Sequence, residues 1–182
     1  MVKSAWRRLS KLFLFLFKGG NYVYSKYNTD EARRIGVKVG ENCRFISTSA
    51  TTFSTEPWLI EIGNHVSMTN PLFITHDGGV WVFRNQYPEI ELFGKIKIGN
   101  NVFIGSEALI LLNTEIGDNS IIAARAVVKG VFEPNSVLAG VPARRICSVD
   151  EYFEKNKDRF SWNARHLPSE QKRSIICEKL GV

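Results

Sequence analysis

A histidine and an aspartate that follow each other, His76 and Asp77, are the residues of this chain best suited to acid–base chemistry. They lie in the stretch NPLFITHDGGVWVF, directly before two glycines. An imidazole titrates near neutrality, so it can accept a proton from a hydroxyl and later return it to a leaving group. A nearby carboxylate or carbonyl would orient its second ring nitrogen. We therefore predict that His76 acts as a general base, with Asp77 as the first candidate for the orienting group.

The other two histidines do not indicate a metal site. Zinc would need several convergent ligands, such as three imidazoles. His65 and His76 are eleven residues apart, and His166 lies in a polar C-terminal segment. The three cysteines form no CxxC or CxxH group, so the sequence predicts neither a metal nor a disulfide framework. Free thiols fit a reducing cytoplasm, which is where we expect the protein.

The composition fits one globular domain. The chain has 182 residues, of which 44% are hydrophobic and 23% charged, enough for a sizeable core and typical of a folded protein. Its formal net charge of +6 suits a phosphate-bearing ligand, an anionic membrane surface or nucleic acid. We expect no nucleic acid, because the sequence has no RNP, zinc-finger or helix–turn–helix signature.

The N-terminal segment, residues 1–34, is predicted to be helical and amphipathic. It begins MVKSAWRRLSKLFLFLFKGG, which is basic and contains an apolar run from Leu12 to Phe17. This run is far shorter than the roughly 20 residues that span a bilayer, and no small-residue cleavage site follows to indicate a signal peptide. Residues 1–18 either rest on the inner face of a membrane or pack on their own domain or on another subunit.

A repeat of six residues predicts the scaffold that positions His76. From residue 98 the sequence divides into IGNNVF, IGSEAL, ILLNTE, IGDNSI, IAARAV and VKGVFE. The first positions are all aliphatic: Ile98, Ile104, Ile110, Ile116, Ile122 and Val128. Six is a multiple of the strand period of two, so these residues can line the inner face of short strands. Three strand–turn units then close one coil, and stacked coils pair as parallel strands.

The period continues less regularly through residues 35–147, the predicted β-solenoid domain. Met68 and Ile74 occupy first positions, so we expect His76 to remain on the coil. The period fails at residues 78–95, which we predict to be a loop extruded from a corner. Residues 148–182 are polar and helix-favouring, and they predict one or two helices broken near Pro168.

Coil geometry leaves open which carboxylate orients His76. Adjacent side chains on a strand face opposite sides, which counts against Asp77. Glu56 and Glu61 come about one coil earlier and compete for the role. Asp77 stays our first choice. An oxyanion formed in the reaction would need a nearby amide or side-chain donor, and the small-residue strand Gly105–Ser106 could supply one.

The hexads from Ile98 to Val131, followed by NSVLAGVPARR, resemble those of the hexapeptide-repeat acyltransferases, and in particular the sugar O-acetyltransferases of bacterial surface-polysaccharide synthesis. The resemblance implies an all-β fold, a left-handed parallel β-helix with an extruded loop and flanking N- and C-terminal α-helices. It also implies a homotrimer with active sites between subunits, acetyl-CoA as co-substrate, and a histidine base beside the loop, which corresponds to His76.

The resemblance and the residue types together supply two sets of binding residues. The resemblance implies that the CoA-binding residues are Ser106, Ala123, Ala124, Lys129, Pro142, Arg144 and Arg145. The aromatic and polar side chains of the extruded loop are candidates for binding a sugar acceptor: Trp81, Phe83, Arg84, Asn85 and Tyr87. The loop aromatics could equally pack against the next subunit.

We therefore predict an acetyl-CoA-dependent O-acetyltransferase that acts on a hydroxyl of a sugar or glycan intermediate. The alternatives are an N-acetyltransferase of a nucleotide-linked amino sugar and a non-catalytic β-helical scaffold. An amine loses its proton more readily than a hydroxyl, so the first alternative would depend less on His76.

Overall fold

The computed structural model describes residues 28–161 and 164–182. The predicted membrane or subunit contact of residues 1–18 therefore lies outside the described residues, as does most of the predicted N-terminal helical segment. Its described part is the short helix α1, Thr29–Arg34, which Asn28 caps by accepting a hydrogen bond from the Glu31 backbone amide. No helix in the two described ranges is long and apolar enough to cross a membrane.

In the described part of the chain, fourteen short strands form three sheets, in which neighbouring strands are parallel except at the C-terminal end. Sheet A contains β1 (Lys38–Val39), β3 (Ile60–Ile62), β6 (Ile96–Ile98), β9 (Thr114–Ile116) and β12 (Val131–Phe132). Sheet B contains β2 (Arg44–Ile46), β4 (Ser67–Thr69), β7 (Val102–Ile104), β10 (Ser120–Ile122), β13 (Val137–Gly140) and the antiparallel β14 (Ala143–Cys147). Sheet C contains β5 (Leu72–Ile74), β8 (Leu109–Leu111) and β11 (Val127–Val128).

The chain visits sheets A, B and C in turn, so three consecutive strands make one coil. In the first coil a 3-10 helix, Ala50–Phe53, takes the place of the strand in sheet C. A second 3-10 helix, Pro57–Leu59, leads into the next coil. The irregular segment between the first two coils thus forms two short 3-10 helices.

The hexad prediction of the core is confirmed. All six first-position residues from Ile98 to Val128 are buried, each exposing at most 1% of its surface. They register with one another across neighbouring coils, as Ile104 does with Ile122 and Ile98 with Ile116. Stacked aliphatic columns therefore fill the space between the three sheets, and this burial is the main source of stability.

The second and fourth positions of the hexad lie at the corners of the coils. The fourth residue adopts a left-handed backbone conformation in hexad after hexad, with φ of 54° at both Asn101 and Asn119. Glycine at the second position has a different cause, because a Cβ at Gly63 would lie 2.7 Å from the carbonyl oxygen of Gly99 in the next coil. Successive coils approach too closely at this corner to admit a side chain.

One predicted register is wrong. Sheet C aligns Phe73, not Ile74, with the inward Ile110, and Phe73 is completely buried while Ile74 is only half-buried. The corner before β5 is one residue shorter than its counterpart, since Met68 pairs with Ile104 in sheet B. A slip of one residue exchanges the faces of a strand. Thr75 is consequently buried, and His76 lies on the outer side.

The described residues after the last strand include two α-helices, where the sequence predicted one or two. Helix α2, Val149–Asn156, begins at Ser148, whose hydroxyl accepts a hydrogen bond from the Glu151 amide. Helix α3, Ser169–Leu180, follows Pro168, which stands at its N-cap. Between them, Lys157–Arg159 forms a 3-10 helix.

Candidate active site

His76 lies in the neck from which the chain leaves the coils. The Asp77 amide donates to the Leu92 carbonyl at 2.9 Å, and the Gly94 amide donates to the Thr75 carbonyl at 2.8 Å. His76 itself forms an isolated antiparallel bridge with Phe93. These contacts close the loop on itself, so the histidine is held at a fixed junction between the coils and the loop.

The imidazole of His76 contacts a carboxylate from the preceding coil. Its Nδ1 lies 2.9 Å from Glu56 Oε2. An ionised carboxylate can only accept hydrogen bonds, so Nδ1 carries the proton of the neutral ring and Nε2 keeps a lone pair. The His76 side chain is 41% exposed, whereas that of Glu56 is only 16% exposed. The arrangement leaves a half-exposed imidazole whose Nδ1 is held by a largely buried carboxylate.

Two threonine hydroxyl groups donate further hydrogen bonds to the Glu56 carboxylate. Thr55 Oγ1 donates to its Oε1 at 2.6 Å, and Thr75 Oγ1 donates to its Oε2 at 2.7 Å. Burial raises the pKa of the Glu56 carboxyl, but the hydrogen bonds from the two threonines and from His76 outweigh burial, so the pKa lies below its usual value. Glu56 is therefore an ionised acceptor at neutral pH.

Our ranking of Asp77 as the orienting group is corrected. Its carboxylate accepts a hydrogen bond from the Gly79 amide at 2.8 Å and so caps the 3-10 helix Gly78–Phe83 at the start of the loop. Glu56 is the acid that His76 contacts, while Glu61 lies on the outer face of sheet A. Thr55 and Thr75 were not among the residues predicted from the sequence, although each immediately precedes one of the two residues in contact, Glu56 and His76.

The segment that presents Glu56 contains an unusual backbone conformation. Ser54 has φ of 60° and ψ of −169°, a region that residues other than glycine avoid at a cost of about 1–3 kcal/mol. Its hydroxyl lies 3.4 Å from His76 Nδ1. The strain occurs two residues before the acid, where the chain turns from one 3-10 helix towards the next.

The loop presents aromatic side chains close to the neck. Trp81 is 72% exposed, and Tyr87 and Phe83 are exposed as well. Arg84 is already engaged within the loop, since its Nη2 lies 2.9 Å from Glu91 and its guanidinium lies 5.7 Å from the centre of the Trp81 ring. Asn85 is exposed beside it. The aromatic rings are thus available to a ligand, whereas Arg84 serves the fold of the loop.

Three of the expected CoA-binding residues lie at two opposite edges of sheet C. Ser106 and Ala124 precede the N-terminal ends of β8 and β11, one coil apart, and both are exposed. Lys129 follows the C-terminal end of β11, on the same edge as His76 after β5. The strands of sheet C are parallel, so one group lies before the strands and the other lies after them. Within one chain, the length of these strands separates the two groups.

The remaining expected CoA-binding residues lie near the C-terminal end of the coils. The half-buried Ala123 donates its amide to the Leu138 carbonyl at 2.9 Å. Pro142 occupies the turn between β13 and β14, and the exposed Arg144 and Arg145 lie on β14. Their cationic side chains stand where the last coil ends.

The outer surfaces of the sheets differ in chemistry. On sheet A, residues of alternating charge face outward in register: Lys38, Glu61, Lys97 and Glu115. On sheet C, the outward column Leu72, Leu109 and Val127 is apolar, and Leu72 is 41% exposed. Sheet A is suited to solvent, whereas the apolar column of sheet C lies at the N-terminal ends of its strands, on the same edge as Ser106 and Ala124.

The other histidines take no part in this site. His65 occupies an exposed corner, where its Nδ1 lies 2.7 Å from Asn101 Oδ1. His166 is exposed in the C-terminal segment. In residues 28–161 and 164–182, no group of three or more histidine, cysteine, aspartate or glutamate side chains could hold a metal ion.

Comparison with known proteins places this geometry in context. Residues 95–130 match the family described as bacterial transferase hexapeptide (six repeats). Over 148 residues the chain is 43% identical to Protein CapG of Staphylococcus aureus, covering 81% of this chain and 83% of that protein. It is 48% identical over 67 residues to the galactoside O-acetyltransferase of Escherichia coli K12, covering 34% of this chain and 33% of that enzyme.

A similar fold is known from solved structures. The serine acetyltransferase of Neisseria gonorrhoeae superimposes with a TM-score of 0.51 at 20% identity, over 69% of this chain and 43% of that one. At this identity the likeness concerns the fold alone. The chain thus covers most of CapG but less than half of the two named acetyltransferases.

Proposed function

The chain belongs to the hexapeptide-repeat family of bacterial acyltransferases, and we propose that it transfers an acetyl group from acetyl-CoA to a hydroxyl of a sugar or glycan. The observation that carries this proposal is the contact between His76 and an ionised Glu56 in the neck of the loop. We also propose that the coils wind in the left-handed sense implied by the hexads.

A hydroxyl acceptor requires a base, and His76 supplies one. Its Nε2 takes the proton of the hydroxyl while the oxygen attacks the thioester carbonyl, and the same nitrogen gives this proton to the departing thiolate. Glu56 holds the Nδ1 proton and stabilises the imidazolium that forms between these two steps. The products are an acetyl ester and CoA, so the base ends in the state in which it began.

The residues proposed for acetyl-CoA fit its chemistry. Ser106, Ala123 and Ala124 place only small side chains along one corner, as a narrow pantetheine chain would require. Lys129, Arg144 and Arg145 are exposed cations that could pair with its phosphates. Acetyl-CoA supplies the activated acetyl group, and Trp81 and Tyr87 would stack on the sugar of the acceptor.

We further propose that the active unit is a homotrimer with each site between two subunits. Within one chain the His76 edge and the Ser106 edge are separated by sheet C. Packing the apolar outer column of sheet C against a second copy would bury it and bring opposite edges together. A closed ring of three such heterologous interfaces, each formed by different surfaces of the two subunits, would complete every site.

The experiment is a product screen by mass spectrometry. Candidate oligosaccharides and nucleotide sugars are incubated with acetyl-CoA and the full chain, and we expect a product heavier by one acetyl group that mild base removes, as it does an ester. An acetyl group resistant to base would instead show an amide and contradict the hydroxyl acceptor. His76→Ala should abolish turnover while acetyl-CoA still raises the melting temperature, and His65→Ala is the matched control.

Peripheral membrane contact through residues 1–18 is a separate proposal. The segment combines basic residues with an apolar run and a tryptophan, a composition suited to an anionic lipid surface. Flotation with vesicles that contain anionic lipid should carry the full chain but not a chain that begins at residue 28. Equal flotation of both would contradict this proposal.

A further inference from the structure

Two threonines donate hydrogen bonds to the Glu56 carboxylate, which also contacts His76. Glu56 Oε1 accepts from Thr55 Oγ1 at 2.6 Å, and Oε2 accepts from both Thr75 Oγ1 at 2.7 Å and His76 Nδ1 at 2.9 Å. Both oxygens of the carboxylate therefore accept hydrogen bonds. Each hydrogen bond to a charged acceptor is stronger than one between neutral groups, so together they restrict the rotation of the acid.

The two threonines reach Glu56 from different parts of the chain. Thr55 immediately precedes the acid and is exposed, whereas Thr75 immediately precedes the base and is completely buried. The single-residue slip at the corner before β5 is what turns Thr75 inward. As a result, neighbouring residues of one strand end, Thr75 and His76, both contact the same carboxylate oxygen.

We propose that Thr75 and Thr55 are positioning residues, which hold Glu56 ionised and correctly oriented so that His76 keeps its proton on Nδ1 and its lone pair on Nε2. This inference rests on the proposed role of His76 as the base. Without the two hydroxyl donors, Glu56 could turn away or protonate, and a protonated acid would donate to Nδ1 and move the ring proton to Nε2. In that tautomer the nitrogen facing the acceptor cannot take a proton.

The test compares four variants of the full chain. Thr55→Val and Thr75→Val remove the hydroxyls, and Thr75→Ser restores one in the smaller side chain. Thr114→Val is the matched control, because Thr114 is also buried but its hydroxyl donates to the Val128 carbonyl, far from this site in sequence. Thr55 is exposed, so its replacement leaves the core intact and keeps the test valid if Thr75→Val fails to fold.

The first readout is nitrogen-15 and carbon-13 NMR, which needs no acceptor. In the wild type and in Thr114→Val we expect His76 as the Nδ1–H tautomer. In Thr55→Val and Thr75→Val we expect a several-fold rise of the Nε2–H form and a carboxyl titration of Glu56 that moves to higher pH, with Thr75→Ser close to wild type. Unchanged tautomer and titration in both valine variants would overturn the proposal.

The second readout is turnover with an acceptor found in the product screen. We expect kcat to fall roughly tenfold in each valine variant, which corresponds to about 1.4 kcal/mol, with KM within about twofold of wild type. A change in KM alone would contradict a positioning role. If no acceptor is acetylated at all, the proposed function fails, whereas the NMR result still decides the role of the threonines.

Discussion

Replacing Glu56 by glutamine is a sharper test of the site than removing His76, because it preserves the shape of the side chain and changes only its charge and one acceptor. The carboxylate accepts three hydrogen bonds, from Thr55, Thr75 and His76. A glutamine amide has one acceptor oxygen and two N–H donors. At least one of the three donors must therefore face an NH2 group.

The magnitude follows from this change. A hydrogen bond to a charged group contributes about 1.5–3 kcal/mol. The Glu56 side chain is only 16% exposed, so solvent replaces little of the loss. If His76 loses this stabilisation as it becomes an imidazolium, kcat should fall about 10- to 150-fold. We expect a smaller effect on KM, because Glu56 lies behind the imidazole and not in the open part of the site.

The assay follows the release of CoA thiol at saturating acetyl-CoA over a range of acceptor concentrations, which separates kcat from KM. Glu115→Gln is the matched control, since Glu115 is an exposed acid on sheet A whose carboxylate pairs with Lys97 at 2.8 Å. We expect this control to retain wild-type turnover. A Glu56→Gln protein with kcat within about twofold of the control would refute the argument that the acid orients and stabilises the base.

Three further predictions concern stability and assembly. The pKa of Glu56 lies below its usual value, so its ionisation stabilises the fold above about pH 4.3. This contribution is lost as the pH falls through the pKa of Glu56 in the folded protein. Melting curves should therefore show that Glu56→Gln is less sensitive to acid than the wild type. Leu109→Asp on sheet C should dissociate the proposed trimer in light-scattering measurements, whereas Val131→Asp on sheet A should not. Gly63→Ala should cost about 1–3 kcal/mol in chemical denaturation because the next coil leaves no room for a Cβ, whereas Gly78→Ala should be neutral, since a Cβ there meets nothing within 4 Å.

The core of the fold was predictable because the same sequence rule, an aliphatic residue at every sixth position, recurs in hexad after hexad. An aliphatic residue every sixth position satisfies the alternation of strands and the closure of coils together, and all six first positions from Ile98 onward are buried. Each hexad repeats the same evidence, so an error in one would be visible against the others. The helices on either side of Pro168 were predictable for a local reason, since proline favours the start of a helix over its interior.

The site was less predictable because it lies where the repeat is irregular. The shortened corner places Phe73 where Ile74 was expected, and this reverses which side Thr75 and His76 face. Residue types alone do not reveal a missing residue in a turn. Glu56 belongs to a segment of 3-10 helices with no repeat to locate it, so its contact with His76 emerges only from the packing of two coils.

The position of the basic residues in the chain bears differently on the two anionic partners that the composition suggested, a phosphate-bearing ligand and an anionic membrane surface. Residues 1–27 contain six lysines and arginines and no aspartate or glutamate, whereas residues 28–182 contain equal numbers of basic and acidic residues. The whole net charge of +6 therefore belongs to the N-terminal segment. The coils carry no net positive charge that would attract acetyl-CoA from a distance, so in the proposed function its phosphates would pair with individual cations such as Lys129 and Arg144. The proposed attraction to an anionic membrane, by contrast, would act through residues 1–27 and leave the proposed chemistry at His76 unchanged.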